Sequence, residues 1–152
     1  MSGFRFKLQR ILELRARLEK ESAIRLNTAR VDAEVAQRAL ETLEAARRGS
    51  AQESGPTAGA AVQAGELQRH ALVAQQLDLH LAVANEAMEE ADARVDNLQV
   101  EFSDALTRRR VLDKLREKHL ELWQTEEVQR DRATMDAIAL ARHVLRKGGT
   151  DS

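Results

Sequence analysis

Apolar residues recur in alternating steps of three and four along the second half of the chain, for more than five heptads. The positions are Ala74, Leu77, Leu81, Ala84, Met88, Ala91, Val95, Leu98, Phe102, Ala105 and Leu112, with Arg109 the one charged residue among them. This is the a/d pattern of a helix that packs along another helix. A strand would need a period of two, and a membrane span would need an unbroken apolar run. The stretch therefore predicts one half of a coiled coil.

The composition favours long helices over a thick globular core. Charged residues make up 32% of the 152 residues and aromatic residues only 3%, so few bulky side chains are available to fill an interior. No Cys is present, which excludes disulfides and thiolate metal sites. The basic N-terminus has no apolar segment behind it, so we expect no signal peptide, no direct membrane insertion and a soluble intracellular protein.

A second seam lies in the first third of the chain, where no Gly or Pro interrupts residues 4–48. Its members are Leu26, Ala29, Ala33, Ala36, Leu40 and Leu43, preceded by a broad apolar face of Leu8, Ile11, Leu12, Leu14 and Leu18. Four Gly and the only Pro then fall between residues 49 and 65, which is a strong helix-breaking signal. We therefore predict a helix over 4–48, a flexible loop over 49–64 and a helix over 65–147.

Two seams joined by a loop predict a single all-α domain over residues 1–152, a long antiparallel two-helix coiled coil. A parallel homodimer is the alternative, but it would leave the loop without a purpose, so we expect a hairpin that is a monomer in isolation. If Arg48 lies across from Gly65, then Phe4 ends near Arg109. Residues 110–147 would then form a C-terminal helical overhang without a partner inside the chain.

Basic residues are concentrated in two stretches that this register would bring together. Residues 1–25 hold seven basic and three acidic residues, residues 106–123 hold six and three, and residues 66–105 hold two and nine. The cations predicted to converge at the open end of the hairpin are Arg5, Lys7, Arg10, Arg108, Arg109 and Arg110. Such a cluster repels itself unless an acidic partner binds there. The alternatives are solvated charge, an amphipathic N-terminal helix on a membrane surface, or an organelle-targeting segment.

The patterns that would support catalysis or metal binding are missing. The four His residues, which are His70, His80, His119 and His143, form neither an i, i+4 pair nor an H-E-x-x-H motif. A two-helix coiled coil also offers no concave site that excludes water. We therefore expect no enzymatic activity, no cofactor and no metal, and the acidic middle argues against nucleic-acid binding.

Three motifs near the two ends of the chain are more specific than the heptads. They are Phe4-x-Phe6-x-Leu8-Gln9-x-Ile11-Leu12-x-Leu14-Arg15, then Leu112-Asp113-Lys114-Leu115-Arg116-Glu117-Lys118, and Trp123-Gln124-Thr125-Glu126-Glu127 with Asp136-Ala137-Ile138 beyond it. Together with the helix–loop–helix layout, they resemble the FliJ family of flagellar type III export proteins over nearly the whole chain.

The resemblance implies a function as well as a fold. Members of this family form a coiled coil like the rotor stalk of rotary ATPases, and they act in the bacterial cytoplasm at the inner membrane. They bind the hexameric flagellar export ATPase, promote its assembly and activity, contact the cytoplasmic domain of the export gate, and escort export chaperones. The equivalent stalk of a virulence type III injectisome is the near alternative. A generic coiled-coil scaffold or membrane-surface protein is the alternative from another class.

The resemblance also places candidate binding residues at the two ends of the hairpin. At the open end, the ATPase-binding candidates are Arg5, Lys7, Leu8, Arg10, Ile11, Leu12, Arg108, Arg109, Arg110, Leu115, Arg116, Leu122 and Trp123. At the tip, the gate-binding candidates are Leu40, Leu43, His70, Ala74, Leu77 and Leu81. Trp123 has two interpretations, a binding hot spot or a residue at the edge of the seam.

Overall fold

The computed structural model describes residues 3–53 and 63–149, and these fold almost entirely into two long α-helices. α1 spans Gln9–Glu53 and α2 spans Ala64–Gly148. α1 therefore begins later than predicted and continues past Gly49, where we expected it to end. Most of the predicted loop, residues 54–62, lies outside the described residues.

Both helices begin with backbone hydrogen bonds from the residues that precede them. The Gln9 N–H donates to the Phe6 carbonyl at 3.1 Å, and the Glu66 N–H donates to the Gln63 carbonyl at 2.9 Å. Glu66 lies in the first turn of α2, while basic residues occupy its last turn. Charges of these signs at these ends stabilise a helix through its dipole.

The two predicted seams form the contact between the helices. Every member of the α2 seam, from Ala74 to Leu112, is half-buried. In the α1 seam Leu26, Ala29, Ala33 and Leu40 are buried, and the other two members are half-buried. The prediction of an all-α coiled coil is therefore confirmed.

The broad apolar face that we expected in the first half of α1 is divided by the structure. The seam positions that precede Leu26 at the same heptad spacing are Ser22, Glu19, Arg15, Leu12 and Leu8. All of these are buried or half-buried. The remaining apolar members of that face are exposed: Ile11, Leu14 and Leu18. The heptad phase thus outweighs local hydrophobicity in deciding which residues face α2.

The chain divides into two compact units. The hairpin unit is Leu18–Ala105, and the terminal unit consists of Met1–Arg17 and Leu106–Ser152. In the hairpin unit an ion pair joins Arg25 to Glu101 at 3.7 Å, and Arg47 contacts Asp78 at 2.7 Å. Residue numbers rise along one helix as they fall along the other, so the pairing is antiparallel within the chain, as predicted.

In the terminal unit the pairing differs from the predicted register. Phe4 lies against Trp123 rather than near Arg109, so the prediction is wrong by fourteen residues, or about four helical turns. The error arises because α1 does not end at Gly49. Since Arg47 is already paired with Asp78, Gly65 cannot lie across from Arg48.

The start of the predicted overhang moves with the register. Leu112, Leu115, Leu120 and Trp123 are all half-buried, so α2 is covered well beyond residue 110. Every described residue after Glu127 is exposed, and we refer to residues 128–148 as the uncovered segment. Neither helix, within the described ranges, contains a stretch apolar and long enough to span a membrane.

Candidate protein-interaction surfaces

Two aromatic contacts hold the N-terminal residues against α2. The Phe4 ring lies tilted against Trp123, with ring centroids 6.1 Å apart. The buried Phe6 ring meets His119 edge to face, with centroids 5.7 Å apart. Each such pair contributes about 0.5–1.5 kcal/mol beyond its buried area. The F-x-F opening therefore has a structural role, and the half-buried Trp123 lies in the seam.

A basic groove runs beside this aromatic contact. Its lining residues are Phe4, Arg5, Phe6, Lys7, Gln9, Arg10, Glu13 and Arg116. All four cations among them are exposed, and none forms an ion pair with another residue that the structure describes. We refer to this site as the basic groove. It brings three of the predicted cations together with Arg116.

The other three predicted cations lie elsewhere in the terminal unit. Arg109 is half-buried at a seam position and forms an ion pair with Asp113 one turn further along α2. Arg108 and Arg110 are exposed on either side of it. Residue 110 precedes Trp123 by about 20 Å along the helix. The predicted convergence of six cations is therefore wrong, since it rested on the wrong register.

The terminal unit is nonetheless strongly basic. Residues 3–17 and 106–123 together contain eleven basic and four acidic residues, although the whole chain has a net charge of −1. Charge of one sign in one unit sets up a local potential that attracts acidic partners. The prediction of a basic end thus holds, with the charge distributed over the unit.

The uncovered segment carries large apolar side chains on its surface. They are Val128, Met135, Ile138, Leu140, Val144 and Leu145, all exposed. Ile138 and Leu145 lie two turns apart on one face of the helix, whereas Leu140 and Val144 lie on a different face. Arg130 forms ion pairs with Glu126 and Glu127 on the same helix. Such pairs stabilise a helix only slightly.

The residues predicted for the tip of the hairpin face mostly inward. Leu40 is buried, and Leu43, His70, Ala74, Leu77 and Leu81 are half-buried in the seam. A groove beside them is lined by Ala46, Gly49, Ser50, Glu53, Glu66, Arg69, His70, Val73 and Leu77. The exposed large apolar residues of this region are Leu67, Leu72, Val73 and Leu79, which the sequence prediction did not select because they lie off the seam.

No group of three or more His, Asp or Glu side chains suited to a metal ion occurs within residues 3–53 and 63–149. The surfaces described above are suited to binding other proteins, through cations at the basic groove and apolar side chains at the uncovered segment.

Comparison with known families agrees with the motifs at the two ends. The family model described as Flagellar FliJ protein matches residues 4–148, a range that includes both aromatic contacts, the basic groove and the uncovered segment. Neither the curated proteins nor the solved structures give a match. Because the family match extends over nearly the whole chain, the chain belongs to the flagellar FliJ protein family and is a flagellar export-associated protein.

Proposed function

We propose that this protein is the central stalk of the flagellar export ATPase complex, in the bacterial cytoplasm at the inner membrane. The observation that carries the proposal is the makeup of the terminal unit, where an excess of cations adjoins a helix whose apolar residues are uncovered. A hexameric ATPase ring with acidic and apolar groups around its pore would complement both features. The stalk would stabilise the assembled ring and so raise its rate of ATP hydrolysis.

The cations would act mainly by steering and orienting the docking. Arg5, Lys7, Arg10 and Arg116 are exposed around the basic groove, where salt screens them strongly. Exposed charges of this kind change association rates and specificity more than final affinity. We therefore expect their contribution to fall as the salt concentration rises.

The uncovered segment would supply the apolar part of the contact. A single helix that nothing covers is marginally stable in water, and its six large apolar side chains lose water only when a partner packs on them. Trp123 is less suited to this role than we expected from the sequence. It is half-buried and packs against Phe4, so its removal would also loosen the N-terminal residues.

The remaining roles in the proposal involve the hairpin unit. The stalk would link the ATPase to the cytoplasmic domain of the export gate, and it would escort export chaperones. The exposed Leu72 and Val73, next to the groove at Arg69 and His70, are our candidates for a gate contact. The family match supports an export-associated protein, and both of these roles belong to the same export system.

The test is the ATP hydrolysis rate of the purified export ATPase, titrated with this protein across a salt series. A groove variant carries Arg5→Glu, Lys7→Glu and Arg10→Glu, and a segment variant carries Leu140→Gln and Leu145→Gln. The groove variant should need about tenfold more protein for half-maximal stimulation at low salt, with the difference shrinking at high salt. The segment variant should lose stimulation at every salt concentration.

A matched control changes three exposed cations of the hairpin unit, with Arg48→Glu, Arg69→Glu and Arg94→Glu. It alters the net charge by the same amount as the groove variant and should stimulate the ATPase as the wild type does. Equal stimulation by the wild type and by a protein carrying both the groove and segment changes would contradict the proposal. Flotation with anionic vesicles in place of ATPase binding would favour a membrane-surface protein.

A further inference from the structure

One flank of the terminal unit carries an apolar patch that neither the seam nor the uncovered segment includes. Its members are Ile11, Leu14, Val111, Leu115 and Leu122, and we refer to it as the flank patch. Four of them are 44%, 53%, 60% and 62% exposed, in the order Ile11, Leu14, Val111 and Leu122, and Leu115 is half-buried. Side chains of this size cost free energy when they are left in water.

The heptad register places these residues on the same side of the coiled coil. Ile11, Leu115 and Leu122 each come directly before the first seam position of a heptad, and in an antiparallel pair such residues face one another across one flank. The contacts of Phe4 with Trp123 and of Phe6 with His119 fix this register. Leu14 and Val111 lie one turn further out on the same flank. The patch therefore spans both helices.

The two flanks of the terminal unit differ in net charge. Beside the flank patch the exposed charged residues of α2 are the cations Arg108 and Lys118. The other flank carries the acidic residues Glu13, Asp113 and Glu117 together with Arg110, so it is net acidic. A ligand for the patch must accordingly combine an apolar face with negative charge at its edges.

We propose that the flank patch binds an amphipathic helix with acidic edges from a partner protein, so that the terminal unit becomes a three-helix bundle. Aliphatic side chains in heptad rows on two neighbouring helices match the ridge of a third helix. The acidic edges would pair with Arg108 and Lys118 and set the direction of the bound helix. This goes beyond the proposed function, and its test contains no ATPase, so either proposal can fail while the other stands.

The test uses the full chain and a synthetic helical peptide of about three heptads, with Leu on one face, Glu at both edges and no Trp. Trp123 is the only Trp of the chain and adjoins Leu122, so its fluorescence reports binding. The peptide should bind saturably, and a matched peptide with Lys in place of Glu should bind at least about tenfold more weakly. Salt should reduce this difference.

Variants of exposed residues locate the site. Leu14→Gln, Val111→Gln and Leu122→Gln together should weaken peptide binding at least about tenfold. The matched control, Val31→Gln, Val35→Gln and Val83→Gln, changes three similarly exposed residues of the hairpin unit and should bind as the wild type does. Because exposed positions are changed, circular dichroism should give the same helicity for both. A second variant, Arg108→Glu with Lys118→Glu, should reverse the preference between the two peptides.

Several results would overturn the inference. Equal binding of the two peptides, or equal loss of binding in the patch and control variants, would remove the site. A dimer in sedimentation that the patch variant abolishes would make a second copy of the chain the occupant. Flotation of the wild type with phosphatidylserine vesicles, lost in the patch variant and without peptide binding, would make the patch a lipid-binding surface.

Discussion

At the scale of single residues, the seam contains side chains that an apolar pattern would not select. Ser22 occupies a seam position of α1 and is only 2% exposed. Its hydroxyl oxygen is buried and finds no hydrogen-bond partner among the residues that the structure describes. A buried hydroxyl without a partner costs about 1–3 kcal/mol relative to water. Ser22 is buried because it falls at a seam position of the heptad, although burial of its hydroxyl is unfavourable. Leu18 falls outside the seam and is exposed.

Replacing this serine should stabilise the protein. We expect Ser22→Ala to raise the free energy of unfolding by at least about 1 kcal/mol, because it removes the unpaired hydroxyl and leaves the backbone unchanged. Urea denaturation followed by circular dichroism measures this change. Asn27→Ala, at an exposed position of the same helix, controls for the gain in helix propensity, which is below about 0.7 kcal/mol. Equal gains from the two changes would show that the hydroxyl costs nothing.

At the scale of the helices, the sequence predicts which residues meet but not how far the helices are offset. Both seams follow from the periodicity, since only residues at heptad spacing stay on one face. The register does not, because sliding one helix by a whole number of heptads again places seam residues on seam residues. The predicted and observed pairings of Phe4 differ by fourteen residues, which is two heptads. The specific contacts that select the register, such as Phe6 with His119, are not visible in a periodic pattern.

The same limit explains which candidate sites the sequence predicted. The composition of residues 106–123 was enough to predict a basic terminal unit, because net charge does not depend on register. Which cations gather depends on register alone, so Arg116 rather than Arg109 joins Arg5 and Arg10 at the basic groove. Ile11 and Leu14 of the flank patch belong to the broad apolar face that we predicted for α1, since hydrophobicity alone cannot tell a seam position from its neighbour.

Burial differs sharply along α1, and substitutions there should separate the two faces. Leu26 is 4% exposed in the seam, whereas Val31 is 50% exposed on the outside. We expect Leu26→Ala to cost about 2–3 kcal/mol, near the lower end for buried Leu because a two-helix core is thin. Val31→Ala should change stability by less than about 0.5 kcal/mol. Similar unfolding midpoints in urea for the two variants would mean that the assigned face is wrong.

At the scale of the whole chain, stability and partner binding are assigned to different residues. The covered part of α2 is held by the seam and by the two aromatic contacts. Residues 128–148 are exposed throughout and carry apolar side chains. A segment that contributes little to folding but exposes apolar groups is better explained by a binding role than by stability.

Truncation of the chain at its two ends tests this division. A protein that ends at Glu127 should keep the thermal midpoint of the full chain within about 2–3 °C, because residues 128–149 are all exposed and bury none of the other residues that the structure describes. Its helical content should fall by the residues removed, and its stimulation of the export ATPase should be lost. Removal of residues 1–8 should instead lower the midpoint, since it takes away the buried Phe6 and the contacts of Phe4 with Trp123 and of Phe6 with His119. Circular dichroism melts and ATP hydrolysis assays on the same samples measure both effects.

One outcome would contradict this assignment. If the truncation at Glu127 lowers the midpoint as much as the loss of residues 1–8, the uncovered segment stabilises the fold. The exposure of Leu140 and Leu145 would then no longer support a docking role for them.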